Sequence, residues 1–256
     1  FFLLFRFITF ETEDASELLN QVKIGSATKR WQAAYELSKV FNNPKTIPTD
    51  LSFKNQMISS YNHAINDDPL VRAYLAIAMG VTADNFYGNE LVLGLKDEAR
   101  ESRLAAIQAV GMVKEVTAVP VLSEIIKTSD YQDERLAATM SIGFIGDPSA
   151  IPLLNALLED EEPNIRWDAA VALAKMGEKS SVRILENLMD REYLSSFPEL
   201  DYKEVNKVIM IAIETSTVIK GSRFEPKLVL LAKSDENLKI RDAAMKTLKK
   251  TYNRII

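Results

Sequence analysis

Residues 135–177 read RLAATMSIGFIGDPSAIPLLNALLEDEEPNIRWDAAVALAKMG, and this stretch decides the fold. It contains the same arrangement twice. Arg135 is followed three residues later by Ala138, and Arg166 in the same way by Ala169, each with an aliphatic residue four positions further on. Positions three and seven residues beyond an arginine share one face of an α-helix, so each copy predicts a helix with a buried stripe.

The same arginine recurs along most of the chain. Successive spacings are 42, 31, 32, 31 and 75 residues, and the last interval is long enough for two units, the first of them degenerate around Lys207. A period near 31 residues with two helices per unit is typical of a helical solenoid. We expect the arginines to pair with carboxylates of the inter-helix turns or of adjacent repeats, as a structural ladder. They are Arg30, Arg72, Arg103, Arg135, Arg166 and Arg241.

The pattern predicts an all-α fold, a right-handed α-solenoid of about seven helix pairs. Asp or Asn before Pro is expected to cap helices, as in Asp68-Pro69 and Asp147-Pro148. Four glycines are expected where helices stop, namely Gly80, Gly111, Gly146 and Gly177. The predicted pairs are 15–42, 51–80, 89–113, 116–146, 149–177, 180–220 and 225–254. The predicted domains are an apolar segment, 1–12, and a single solenoid, 13–256.

This pattern resembles the HEAT-repeat family, in particular the short bacterial type first named from phycobilisome lyases. Beside residues 135–177, the matching stretches are DDPLVRAYLAIAMG (67–80) and NLKIRDAAMKTLKK (237–250). The resemblance covers roughly 15–254 and weakens at 81–99 and 192–224. It implies a scaffold or adaptor, although a few members are enzymes or chromophore-handling proteins. The stretch GSATKRWQAAYELSKVF (25–41) is also similar to the opening repeat of membrane-tethered bacterial HEAT-repeat proteins.

The first ten residues are far more apolar than the rest of the chain. Ten residues are too few to cross a bilayer, which takes about 20. The segment is either the end of a transmembrane helix or a cap helix on the solenoid, and we predict the membrane anchor, with aromatic residues at the interface. The side of the membrane is left open, although a chain without cysteine fits an exported, periplasmic protein. The anchor residues are Phe1, Phe2, Leu3, Leu4, Phe5, Phe7, Ile8 and Phe10.

Composition argues against several kinds of chemistry. A formal net charge of −5 disfavours non-specific nucleic-acid binding. The absence of cysteine excludes disulfides and thiolate ligands, and His63 is the only histidine. No phosphate-binding, dinucleotide-binding or serine-nucleophile motif is present. We therefore expect no catalytic residue, cofactor, metal or small-molecule substrate.

Six residues are candidates for partner contacts. Trp31 and Trp167 each follow a repeat arginine, and the alternative for both is packing between repeats. The insertion at 193–202 carries Tyr193, Leu194, Phe197 and Tyr202, which either fold back or meet a partner. A second insertion, 42–50, separates the first pair from the second.

The expected function is a non-enzymatic scaffold for other proteins, and we predict an accessory subunit tethered to integral membrane proteins of a complex. One alternative is a HEAT-like enzyme or nucleic-acid-binding module, similar to the DNA glycosylases or chromophore lyases of this fold. The basic cluster at the last helix would serve nucleic acid, but a solvated terminal helix explains it better. Another alternative is a soluble adaptor or self-assembling spacer. The basic residues are Lys246, Lys249, Lys250 and Arg254.

Overall fold

The computed structural model describes residues 14–219 and 223–256. In these ranges all regular secondary structure is helical, which confirms the predicted all-α repeat fold. The predicted anchor, 1–12, lies outside them. The chain divides into two compact units, the first ending at Leu122 and the second beginning at Ser123. The division falls within one helix, α7 (Val119–Thr128).

The first unit contains the first three predicted pairs. In each pair the second helix carries the repeat arginine and the alanine stripe, as in α4, where Ala76 and Met79 are fully buried. The pairs are α1 (Ala15–Ile24) with α2 (Ala27–Val40), α3 (Leu51–His63) with α4 (Pro69–Val81), and α5 (Gly88–Gly94) with α6 (Arg100–Met112).

The second unit continues the alternation. Helix α8 (Gln132–Ile145) follows α7, and α9 (Ile151–Leu157) pairs with α10 (Pro163–Lys175). The next pair is α11 (Val182–Leu188) and α13 (Tyr202–Ser216), with a short extra helix, α12 (Arg191–Ser195), between them. The last pair is α14 (Phe224–Ser234) and α15 (Leu238–Tyr252).

Aspartates begin several of these elements. The Asp68 side chain accepts a hydrogen bond from the Leu70 backbone N–H (2.9 Å), with Pro69 at the first helical position. The stretch 81–99, which departs from the repeat pattern, uses the same device, since the Asp84 side chain accepts from the Phe86 N–H (3.0 Å). Capping therefore survives where the Gly-Asp-Pro turn is lost.

The four glycines have two different roles. Gly146 and Gly177 have positive φ (71° and 84°) and follow the ends of α8 and α10, as predicted. Gly80 instead lies inside α4, and a Cβ built on it would lie 2.9 Å from the Cα of Ala109 on α6. Gly111 lies inside α6 in the same way. Gly80 and Gly111 are the second-to-last residues of their helices, so they mark the predicted ends within one residue, but neither has the positive φ of Gly146 and Gly177. At Gly80 the absent side chain permits close approach of two helices.

Candidate binding groove

Three consecutive second helices of the repeats, α8, α10 and α13, line a groove of about 430 Å³ in the second unit. We call it the α8–α10–α13 groove. Its lining combines apolar side chains with two lysines and two carboxylates. The lining residues are Met140, Gly143 and Phe144 from α8, Asp168, Val171, Ala172 and Lys175 from α10, and Lys207, Ile211, Glu214, Thr215 and Val218 from α13 and the turn after it.

The lining residues of each helix follow helical spacing. On α10 they lie at relative positions 0, 3, 4 and 7, counting from Asp168. This places them on one face, next to the face that carries the buried Ala169 and Leu173. Each of α8, α10 and α13 therefore has two stripes of side chains, one packed in the core of the second unit and one facing the groove.

Apolar side chains of the groove are open to solvent. Met140, Phe144 and Val218 expose 42%, 47% and 49% of their surface. Single exposed apolar residues are common, but a cluster of them in a concave surface is typical of an interaction site. A larger concavity, about 630 Å³, lies beside α1 and α2, but of its described lining only Ile24 is a large exposed apolar residue.

Asp168 is the unusual titratable group of the groove. It is half-buried on α10, and burial raises its pKa from an ordinary 3.8 to about 6, while the charges of Lys175 and Lys207 act to lower it. The carboxylate is thus mostly ionised at neutral pH but close to its titration range. No lining residue from α8 carries a charge.

The other charged groups surround the apolar surface. The Lys175 ammonium lies 5.4 Å from the centre of the Phe144 ring, within the range of a cation–π contact. Lys207 and Glu214 are exposed on α13. With both carboxyls ionised, two positive and two negative charges line the groove, so its formal charge is zero.

Sequence reasoning missed Asp168. The signal was present, because an aspartate in an alanine-rich helix with Lys175 seven residues later forms a polar stripe beside the core stripe. It was overlooked because sequence periodicity shows which residues share a helix face but not which other helices lie against that face. The groove follows only when three helices are placed side by side.

Most of the predicted partner residues of the 193–202 insertion fold back. Leu194 is fully buried, and Trp167 exposes only 6% of its surface. The Trp167 and Phe197 rings meet edge to face, with centroids 4.9 Å apart, and Tyr193 packs on Phe197 at 5.2 Å. The insertion, predicted as a loop, thus begins inside α12, and it folds back on Trp167, which is one of the two expected alternatives.

Tyr202 and Trp31 differ from these four. Tyr202 exposes 56% of its surface, and the Arg191 guanidinium lies 5.7 Å from the centre of its ring. Trp31 is half-buried on α2 in the first unit. Neither lines the α8–α10–α13 groove, and partner contact at these six residues stays a prediction.

The repeat arginines hold the turns between helices. In the first unit Arg72 pairs with the Asp97 carboxylate (2.8 Å), and Arg103 donates to the Asp97 carbonyl oxygen (2.7 Å). In the second unit Arg135 pairs with the Asp160 carboxylate (2.6 Å), and Arg166 donates to the Asp160 carbonyl oxygen (2.6 Å). Each aspartate thus has two arginines, one at its side chain and one at its backbone.

Two further ion pairs extend this arrangement. Arg30 pairs with Asp67 in the first unit. In the second, Arg191 pairs with Asp235 (2.8 Å), a residue that the sequence pattern did not include because the unit is degenerate there. Arg241 lies half-buried on α15.

The residues considered for other chemistry lie away from the groove. His63 is exposed at the end of α3, and its Nδ1 lies 2.7 Å from the carbonyl oxygen of Ser59. In the basic cluster Lys246 pairs with Asp242, and Arg254 pairs with Glu225, both at 2.6 Å. Within 14–219 and 223–256, no group of three or more histidine and acidic residues is arranged to hold a metal ion.

The membrane prediction falls on Phe1–Phe10, outside the described residues. Among the helices of the described ranges, none combines the length and apolar character needed to cross a bilayer.

The family model for HEAT repeats matches residues 62–143 and 129–195, which together span just over half of the chain. The chain belongs to the HEAT-repeat family. No curated protein matches its sequence significantly. HEAT repeats are short helix pairs, and the matched region contains α4 to α12.

Solved structures show the same fold at low sequence identity. A chain from the complex of CpcE and CpcF of phycocyanin lyase from Nostoc sp. PCC7120 matches with a TM-score of 0.63 and 18% identity, over 91% of this chain and 86% of that one. YibA of Escherichia coli matches with a TM-score of 0.54 and 19% identity, over 93% and 82%. An engineered protein matches with a TM-score of 0.54 and 18% identity, over 79% and 96%. At these identities the likeness concerns the fold alone.

Proposed function

We propose that this HEAT-repeat protein is a non-catalytic interaction module that binds a partner protein in the α8–α10–α13 groove. One observation carries the proposal, namely the exposed apolar side chains of Met140, Phe144 and Val218 around the half-buried Asp168. Apolar side chains that remain exposed in a concavity gain most from being covered by a partner.

The architecture supports binding over catalysis. The groove is lined by helices whose other faces are buried in the core of the second unit. Among the described residues that line the groove there is no histidine, and the one that carries a hydroxyl, Thr215, is buried. A serine or cysteine nucleophile paired with a histidine base is the usual requirement for acyl transfer, and the lining does not supply one.

An enzyme is the second candidate function, and Asp168 is the observation that favours it. A carboxyl with a pKa raised to about 6 is typical of a general acid. If Asp168 is catalytic, the Asp168→Asn variant should still bind its ligand but should lose turnover. A binding module would keep its partner and would have no turnover to lose.

The partner is tested by position-specific crosslinking in cells. The photoreactive residue p-benzoylphenylalanine replaces Phe144 in one strain and Tyr131 in another. Tyr131 is a matched control because both aromatics expose 47% of their surface, and Tyr131 lies at the opposite end of α8, outside the groove lining. We expect one protein to be crosslinked to position 144 and not to position 131. The same products at both positions, or none at 144, would contradict the proposal.

That the partner is an integral membrane subunit is a finer part of the proposal. It rests only on the apolar segment Phe1–Phe10, and it would make the protein a membrane-associated accessory subunit. Fractionation of the crosslinked cells separates the outcomes. A product in the membrane pellet supports the membrane subunit, and a soluble product supports a soluble adaptor instead.

A further inference from the structure

The α8–α10–α13 groove also indicates the chemistry of its occupant. We infer that it accepts uncharged apolar or aromatic side chains of a partner protein, and that covering the groove is coupled to uptake of a proton by Asp168. This inference rests on the proposed function, since it names what the same groove recognises. It follows from the balance of charges, from the exposed apolar surface and from the position of Asp168.

Charge complementarity selects the class of occupant. A cationic side chain would approach Asp168 but would also meet Lys175 and Lys207, while an anionic one would meet Asp168 and Glu214. Each charge of the lining already has opposite charges in the same groove. A charged occupant would therefore lose hydration without gaining an unopposed counter-charge, whereas an uncharged apolar one meets Met140, Phe144 and Val218.

Proton uptake follows from the burial of Asp168. In the unoccupied groove, water partly solvates this carboxylate, because the residue is only half-buried. An apolar occupant displaces that water and makes the charged form less favourable, as burial already does. Lys175 on the same helix and Lys207 on α13 oppose the change. Glu214 on α13 is the other charged residue of the lining, and the α8 lining adds no charge.

Linkage gives the coupling its sign. If the occupant raises the pKa of Asp168 above about 6, this carboxyl is protonated to a greater extent in the bound state than in the free state. The difference applies from about pH 6 upward. Affinity then falls as pH rises through this range. Each unit by which occupancy raises the pKa weakens binding about tenfold between the acid and alkaline limits. A cationic occupant would produce the opposite dependence.

Three matched probes test the inference on the full chain. They share a benzyl group and differ in charge at both pH values: N-acetylphenylalaninamide is neutral, 2-phenylethylamine is cationic and N-acetylphenylalanine is anionic. Binding is followed by NMR through the ¹³C-labelled methyl group of Met140, assigned by its loss in Met140→Leu. The neutral probe is expected to shift this signal at the lowest concentration, with an apparent Kd at pH 5.5 about three- to tenfold below that at pH 8.

Two variants isolate the role of Asp168. Asp168→Asn has a similar shape without the ionisable group, so it is expected to bind the neutral probe as tightly at pH 8 as the wild type does at pH 5.5. Lys207→Gln removes a charge that lowers the pKa of Asp168, so its binding midpoint is expected to move to higher pH. Circular dichroism confirms that both variants are folded.

Several results would overturn the inference. These are tighter binding of either charged probe, affinity of the wild type that does not change between pH 5.5 and 8, an unchanged pH dependence in Asp168→Asn, or no shift of Met140 with any probe. Any of these would leave a groove-specific crosslink at position 144 standing. Loss of that crosslink, with neutral-probe binding intact, would instead reject the proposed function.

Discussion

The guanidinium of Arg72 on α4 and the carboxylate of Asp97 in the turn before α6 form a buried ion pair. Nε and Oδ2 lie 2.8 Å apart, and the two side chains are only 7% and 8% exposed. The N–H bond is not aligned on that oxygen, so the contact is primarily ionic. The planar Arg72 group also lies 4.4 Å from the ring centre of Tyr61, which adds a cation–π contact.

Removing one partner of this pair should cost more than removing both. Asp97→Ala leaves a buried positive charge and is expected to lower the free energy of unfolding by about 3–5 kcal/mol. The double variant Arg72→Met, Asp97→Leu leaves no buried charge, so its free energy of unfolding should fall by less. Urea denaturation of the three proteins measures the difference. The exposed pair Lys246–Asp242 is the control, and Asp242→Ala should change stability by less than about 1 kcal/mol.

Stability should depend on pH through Asp168. Because the folded-state pKa is raised from an ordinary 3.8 to about 6, the ionised carboxylate opposes folding above pH 6, and this cost disappears as pH falls towards 4. Asp168→Asn should therefore stabilise the protein at pH 7, by on the order of 2 kcal/mol, and much less at pH 4.5. Urea midpoints at several pH values check this.

Asp190 supplies a control of opposite sign. Its pKa is lowered, chiefly by the hydrogen bond from Lys227, so its ionised form favours folding. Asp190→Asn should destabilise the protein at pH 7, and the loss should shrink as the pH falls below the ordinary range of an aspartate. A destabilising Asp168→Asn at pH 7 would contradict the assignment of Asp168, and an Asp190→Asn that did not destabilise the protein would contradict that of Asp190.

Gly80 and Gly146 should respond differently to alanine. A methyl group at Gly80 would lie 2.9 Å from the Cα of Ala109, so α4 and α6 must separate, and we expect a loss of about 1–3 kcal/mol. At Gly146 nothing lies within 4 Å of the added carbon, and only the positive φ of 71° resists, at about 1 kcal/mol. Thermal unfolding of the two variants compares them. A smaller loss at Gly80 would mean that the helices adjust without cost.

Trp167 is expected to act through stability. Trp167→Ala would open a cavity beside Phe197 and Tyr193 and should cost about 3–5 kcal/mol. Tyr202→Ala, at an exposed position, should change stability by roughly 0.5 kcal/mol or less. If the Trp167 variant kept its full stability, the aromatic cluster would have another role.

The helix pairs could be predicted because the repeat signals agree with one another. Arginine, alanine and aliphatic spacing, capping aspartates and closing glycines all point to the same helix boundaries, as at Asp68 and Gly146. The exceptions have a physical cause. Gly80 resembles a helix end in sequence, but a glycine also permits close packing, and only the neighbouring Ala109 distinguishes the two.

The candidate site was harder to predict than the fold. The large side chains chosen from sequence, such as Trp167 and Leu194, are mostly those that pack in the core of the second unit. Burial and recognition favour the same large side chains, so residue type alone does not separate them. Phe144 and Asp168 become prominent only when α8 and α13 are seen on either side of α10.

The doubly held turns at Asp97 and Asp160 are related by a shift of 63 residues. The same shift relates Arg72 to Arg135 and Arg103 to Arg166. Because repeats depend mainly on their immediate neighbours, a block of this length is a natural cassette. Lengthening or shortening the gene by 63 codons between equivalent positions would leave both kinds of arginine contact in register, whereas an insertion of another length between Arg72 and Asp97 would separate that arginine from its aspartate. The spacing of these turns thus gives a length by which such a chain can be extended.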